Sequence, residues 1–105
     1  MRIGRVVGKV TLVKAHPSLV GKRFVLTTPL DLAALAADAP GAADEIVAID
    51  ELGCAPGDRI GLSEGMEATF PYYPAKVPVD VYAACILDEC LLDAKETKRL
   101  LARKK

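Results

Sequence analysis

Between Arg2 and Lys14 the chain alternates: the even positions are Gly4, Val6, Gly8, Val10 and Leu12, while the odd ones mix Arg5, Lys9 and Thr11 with apolar residues. A period of two marks a strand with one face in a core and the other mixed. Gly4 and Gly8 fall on the same face, where glycine signals a sharp bend or another backbone passing close by. Tight barrels need such bends.

Further strand runs follow, each bounded by turn residues. The loop His16-Pro17-Ser18-Leu19-Val20-Gly21 leads to Arg23–Thr28, ended by Pro29, and this run is expected to pair antiparallel with the first. Leu32 to Ala43 is alanine-rich and interrupted by Pro40-Gly41, which fits a short helical turn or a loop. Glu45–Asp50 and Asp58–Leu62 are short strands separated by Gly53-Cys54-Ala55-Pro56-Gly57, the most constrained connection in the chain. Gly65 to Pro78 holds too many prolines for a central strand and reads as a loop with aromatic anchors. Val79–Leu87 is the last apolar run, and Leu91–Lys105 reads as a short basic helix. Five short strands and few helices indicate an all-β barrel or sandwich. The domain is expected to span residues 1–90, with a basic helix or tail over 91–105.

At 105 residues the chain supports one small domain, and its 51% of hydrophobic residues is high enough that some apolar surface is expected between subunits. No run approaches the ~20 apolar residues of a membrane span, and Met1-Arg2-Ile3-Gly4-Arg5 opens a strand and not a signal peptide. A cytosolic protein with no membrane partner is expected. Cys54, Cys85 and Cys90 are odd in number and lack paired metal or redox spacing, so they read as reduced thiols, with Cys85 inside an apolar strand and Cys54 in a turn open to solvent.

The net charge is zero, yet the charges are segregated. Residues 1–30 carry Arg2, Arg5, Lys9, Lys14, Lys22 and Arg23 with no acid, residues 31–64 carry eight acids against Arg59 alone, and the tail from Lys95 is basic again. That arrangement suits contacts between neighbouring copies.

No constellation for catalysis stands out. Asp50 and Asp80 lack a His, Lys or second carboxylate at a telling spacing and read as structural hydrogen-bonding groups. His16, the single histidine, reads as an exposed turn residue. No catalytic residue, cofactor site or metal site is expected.

The ordered series R-I-G-R-V-V-G-K-V, S-L-V-G-K-R-F-V-L, V-A-I-D-E-L-G-C-A-P-G-D-R-I and P-V-D-V-Y-A-A-C-I-L-D resembles the carboxysome and ethanolamine-compartment vertex protein family, over nearly the whole chain up to Asp88. The resemblance implies a five-stranded OB-like barrel that assembles as a cyclic homopentamer, caps the vertices of a bacterial microcompartment beside hexameric shell proteins, and catalyses nothing. It implies structural roles for Gly4, Gly8, Asp50, Gly65, Pro78, Val79 and Asp80. It also implies that Gly53, Cys54, Ala55, Pro56, Gly57 and Asp58 either line the pore or a subunit contact, or form a plain turn. Cys54 and Pro56 stand where the family usually has small residues and glycine. Met66 to Phe70 replaces a small polar stretch, and the tail beyond Asp88 is variable among relatives. The segment Gly65 to Lys76 leans toward a catabolic compartment.

The alternative is an OB-fold module that binds single-stranded nucleic acid through the basic N-terminal residues and tail. Against it, four of the five aromatic residues, Phe70, Tyr72, Tyr73 and Tyr82, lie far along the chain from the basic first strand. No nucleic-acid partner is therefore expected.

Overall fold

A computed structural model describes residues 1–103. The strands are β1 (Arg2–Val10), β2 (Arg23–Leu30), β3 (Ile46–Asp50), β4 (Arg59–Glu64) and β5 (Val81–Ile86), with helix α1 (Leu32–Ala37) and 3-10 helices over Pro17–Leu19 and Gly65–Tyr72 in the connections and helix α2 (Ala94–Arg103) after β5. The strands close into a barrel in the order β1-β2-β3-β5-β4. Closure leaves no sheet edge to be covered. Every neighbouring pair is antiparallel except β3 and β5, which meet in parallel with Ile49 opposite Tyr82.

The alternation of β1 delivers what its sequence implies up to Val6, which is buried opposite Thr27 in β2. The register then slips, so that Gly8 faces Leu26 and Val7 is left over as an exposed bulge. A one-residue slip moves every later side chain to the other face. Gly4 and Gly8 therefore do not share a face, contrary to the uninterrupted alternation. At Gly4 an added Cβ would stand 2.7 Å from Cδ1 of the buried Leu62, whose side chain would have to shift. At Gly8 it would meet only Leu26 Cβ, at an ordinary 3.8 Å.

Val6, Val25, Ala48, Ile60, Leu62, Val81 and Ala83 fill the barrel. Burying such side chains yields ~1.5–3 kcal/mol for each large one. Thr27 also points inward, and its hydroxyl is satisfied by donating to the Ile46 carbonyl at 3.0 Å.

Other boundaries differ from the sequence reading. β2 runs through Pro29 to Leu30, because Pro29 sits opposite Gly4 near the strand end. β3 and β4 each begin one residue later than read, and β5 is trimmed at both ends. α1 is formed, started by Asp31, whose carboxylate accepts the Ala34 amide, and ended by Asp38 in the left-handed conformation. The Asp38 carboxylate also accepts from Arg5 at 2.8 Å, which ties α1 to β1. Gly65–Tyr72 is a 3-10 helix and not a loop. It inserts Ala68, fully buried, into the fold, and Tyr72 packs edge-to-face on Tyr82 with ring centroids 6.0 Å apart. α2 falls inside the expected Leu91–Lys105 helix, of which the last two residues lie outside the described ones.

Candidate functional site

The Gly53–Asp58 connection is built around one carboxylate. Asp50 ends β3, is 1% exposed, and faces Arg23 across the β2–β3 ladder. Its Oδ1 accepts the amides of Leu52 (2.9 Å) and Gly53 (3.2 Å), and its Oδ2 accepts the amide of Cys54 (2.8 Å). Arg23 approaches Oδ2 at 3.5 Å and donates from Nη2 to the Cys54 carbonyl at 3.3 Å. Burial is the largest influence on the Asp50 carboxyl and acts upward, but the Leu52 and Cys54 hydrogen bonds and the Arg23 charge together hold it below its ordinary value.

Cys54 is buried at 3% exposure, contrary to the solvent-open turn expected for it, because the Asp50 tether turns its side chain into the barrel core. Burial, then hydrogen bonding to Asp50 and the Asp50 charge, push its thiol up to about 12. A thiol held protonated in this way is a packing group and not a nucleophile.

The second half of the loop is fastened to β1. Gly57 N donates to the Val6 carbonyl (2.8 Å) and Val6 N donates to the Asp58 carbonyl (2.9 Å), which extends the β1–β4 ladder past Arg5 and Arg59. Asp58 closes the turn on itself: its amide donates to the Ala55 carbonyl (3.0 Å) and its Oδ2 accepts the Ala55 amide (2.9 Å). Gly53 and Gly57 carry φ of +82° and +94°, which side-chain-bearing residues rarely adopt. Gly53, Ala55, Pro56 and Gly57 are exposed. The result is a stiff loop that presents backbone and small side chains to its surroundings.

Gly65, Pro78, Val79 and Asp80 gather at the opposite end of β4. Gly65 leaves β4 at φ +75° and donates its amide to the Asp80 carbonyl at 2.8 Å, just before β5 begins. The Asp80 carboxylate itself is exposed and has no hydrogen-bond partner among the described residues, so its structural role runs through its backbone and not through the side chain expected to bond. Nearby, Arg2 grips Glu64 through Nε–Oε1 (2.7 Å) and Nη2–Oε2 (2.9 Å), and this bond holds the Glu64 carboxyl below its usual range.

Of the adjacent Tyr72 and Tyr73, the first packs on Tyr82 while the second is 82% exposed. His16 is exposed; its Nδ1 accepts the Ser18 amide and caps the first 3-10 helix. Among the described residues no group of three or more His, Cys, Asp or Glu is placed to hold a metal, and no helix is long and apolar enough to cross a membrane. The Asp50 tether escaped sequence reasoning in its detail, although an Asp followed three residues on by Gly carries the local signal for it.

The closed five-stranded barrel has counterparts among known proteins. The family model described as ethanolamine utilisation protein EutN/carboxysome matches residues 1–88. The chain belongs to this EutN/CcmL family. The bacterial microcompartment shell vertex protein PduN of Salmonella typhimurium is 30% identical over 88 residues, covering 84% of this chain and 96% of that protein. Among solved structures, CcmL of Gloeobacter violaceus is 32% identical with a TM-score of 0.76, covering 89% of this chain and 91% of its own. The GrpN pentameric microcompartment shell protein of Rhodospirillum rubrum shares the fold at a TM-score of 0.74 and 22% identity, covering 89% of this chain and all of its own. The EutN/CcmL match stops before α2, which begins at Ala94.

The nucleic-acid alternative finds no support in these relatives. Phe24 is buried and Tyr72 is engaged with Tyr82, so neither is free to stack on a base, while Phe70 and Tyr73 are exposed.

Proposed function

We propose that this chain is a non-catalytic shell subunit that forms a cyclic homopentamer and caps the vertices of a bacterial microcompartment, meeting hexameric shell proteins along its rim. The single observation that supports this most is the EutN/CcmL match across residues 1–88, which takes in the whole barrel. The physics agrees: a flat layer of hexamers does not close, and closure needs a unit whose head-to-tail interface returns on itself after five copies. Such a subunit works at the shell, in the cytoplasm. In this reading the Gly53–Asp58 loop lines the fivefold axis or the adjoining subunit contact, where five copies of a loop converge and only small, stiff segments fit. The compartment is of the catabolic type suggested by the Gly65 to Lys76 segment.

The test is to express hexameric shell proteins with and without this chain and to image the particles by electron microscopy. Closed polyhedra that contain the chain, against open tubes or sheets without it, are expected. Shells that close equally well without it and exclude it on purification overturn the proposal.

A further inference from the structure

The helix α2 lies outside the family match and is only partly covered by its own chain. None of its residues is buried, and Leu100 remains 38% exposed. Isolated helices shorter than ~12–15 residues are marginal in water, so a ten-residue helix in this state calls for a partner. α2 packs beside α1. Between them runs a groove of about 610 Å³, lined by Ala36 of α1 and by Leu92, Ala94, Thr97, Lys98, Leu101 and Ala102.

The charges indicate what covers it. Among the described residues Lys95, Lys98 and Arg103 form no ion pair, and Arg99 pairs only within the helix, with Glu96. The α1 segment is their complement: from Asp31 to Asp58 there is no Lys or Arg. Asp44 and Glu45 are exposed and unpaired among the described residues, and Ala33 and Ala37 present a small apolar surface. We propose that the α1/α2 groove of one protomer receives the α1 segment of a second copy of this chain, with Ala33 and Ala37 against the groove and Asp44 and Glu45 facing Lys95 and Lys98. This contact is heterologous, so it can repeat around a closed ring. It rests on the pentamer reading and adds α2 as an intersubunit clamp.

The experiment mixes ¹⁴N- and ¹⁵N-labelled full-length chains, first measures oligomer mass, and then applies a zero-length carbodiimide cross-linker. Expected are cross-links from Lys95 or Lys98 to Asp44 or Glu45 in mixed-isotope peptide pairs. A full-length Lys95→Glu/Lys98→Glu variant is expected to exchange subunits roughly three- to tenfold faster, because exposed ion pairs each contribute little, and Asp44→Lys/Glu45→Lys in the same chain restores the slow rate. Absence of a pentamer at the first step sinks the proposed function itself. A pentamer whose cross-links stay within one isotope, or whose exchange ignores the charge reversal, overturns the clamp alone and leaves α2 free for a different partner.

Discussion

Asp50 and Cys54 hold each other in place: the buried carboxylate accepts the Cys54 amide at 2.8 Å, and its charge helps to keep the neighbouring thiol protonated. That pair anchors the first half of the exposed β3–β4 loop as Val6 anchors the second.

Asp50→Ala removes the acceptor of three backbone amides, including the buried one of Cys54. With ~1–3 kcal/mol for each buried group left unsatisfied, a total loss of about 2–4 kcal/mol is expected. Urea unfolding checks it through a lower midpoint at unchanged slope.

The Cys54 thiol is expected to resist alkylation in the folded protein. A rise from the ordinary 9.0 to about 12 leaves little thiolate at pH 8, and 3% exposure restricts access further. Iodoacetamide labelling followed by peptide mass spectrometry should show Cys54 modified at least roughly a hundredfold more slowly than in urea. Equal rates contradict the tether.

Acid should weaken the fold in a way that depends on Asp50. Its folded-state carboxyl lies below the ordinary 3.8, so its contribution is fully present above that value and is lost as pH falls through the folded value. Glu64, lowered by Arg2, acts in the same direction from its ordinary 4.5 downward. Unfolding free energy measured across this acidic range should fall less steeply in Asp50→Asn than in the parent.

Three glycines separate conformational need from mere composition. Gly53→Ala and Gly57→Ala force a side chain into positive φ and should each cost ~1–2 kcal/mol, a Tm fall of roughly 5–10 °C. Gly8→Ala meets only ordinary van der Waals contact and should stay within about 0.5 kcal/mol. Differential scanning calorimetry on the three variants tests the contrast.

Much of the barrel was legible because period-two runs and glycine-proline punctuation are local. All five strands were placed to within a few residues, and the β1–β2 pairing followed from adjacency. The Val7 bulge was not legible, since no residue type marks it and it depends on how β2 and the Gly57–Asp58 segment share Val6. The 3-10 helix over Gly65–Tyr72 was hidden by its proline, which a loop and a short 3-10 helix accommodate alike. At the site, the glycines announced a tight turn, but the burial of Cys54 depended on the Arg23–Asp50 pairing across two strands, which is a tertiary fact.

Native mass spectrometry of the purified chain at physiological salt tests the vertex role most directly, because oligomer number separates a shell pentamer from a binding module without any substrate. Five chains of 11.2 kDa in one closed species, unchanged by added single-stranded oligonucleotide, is the expected result. A stable monomer that gains mass when the oligonucleotide is added contradicts it.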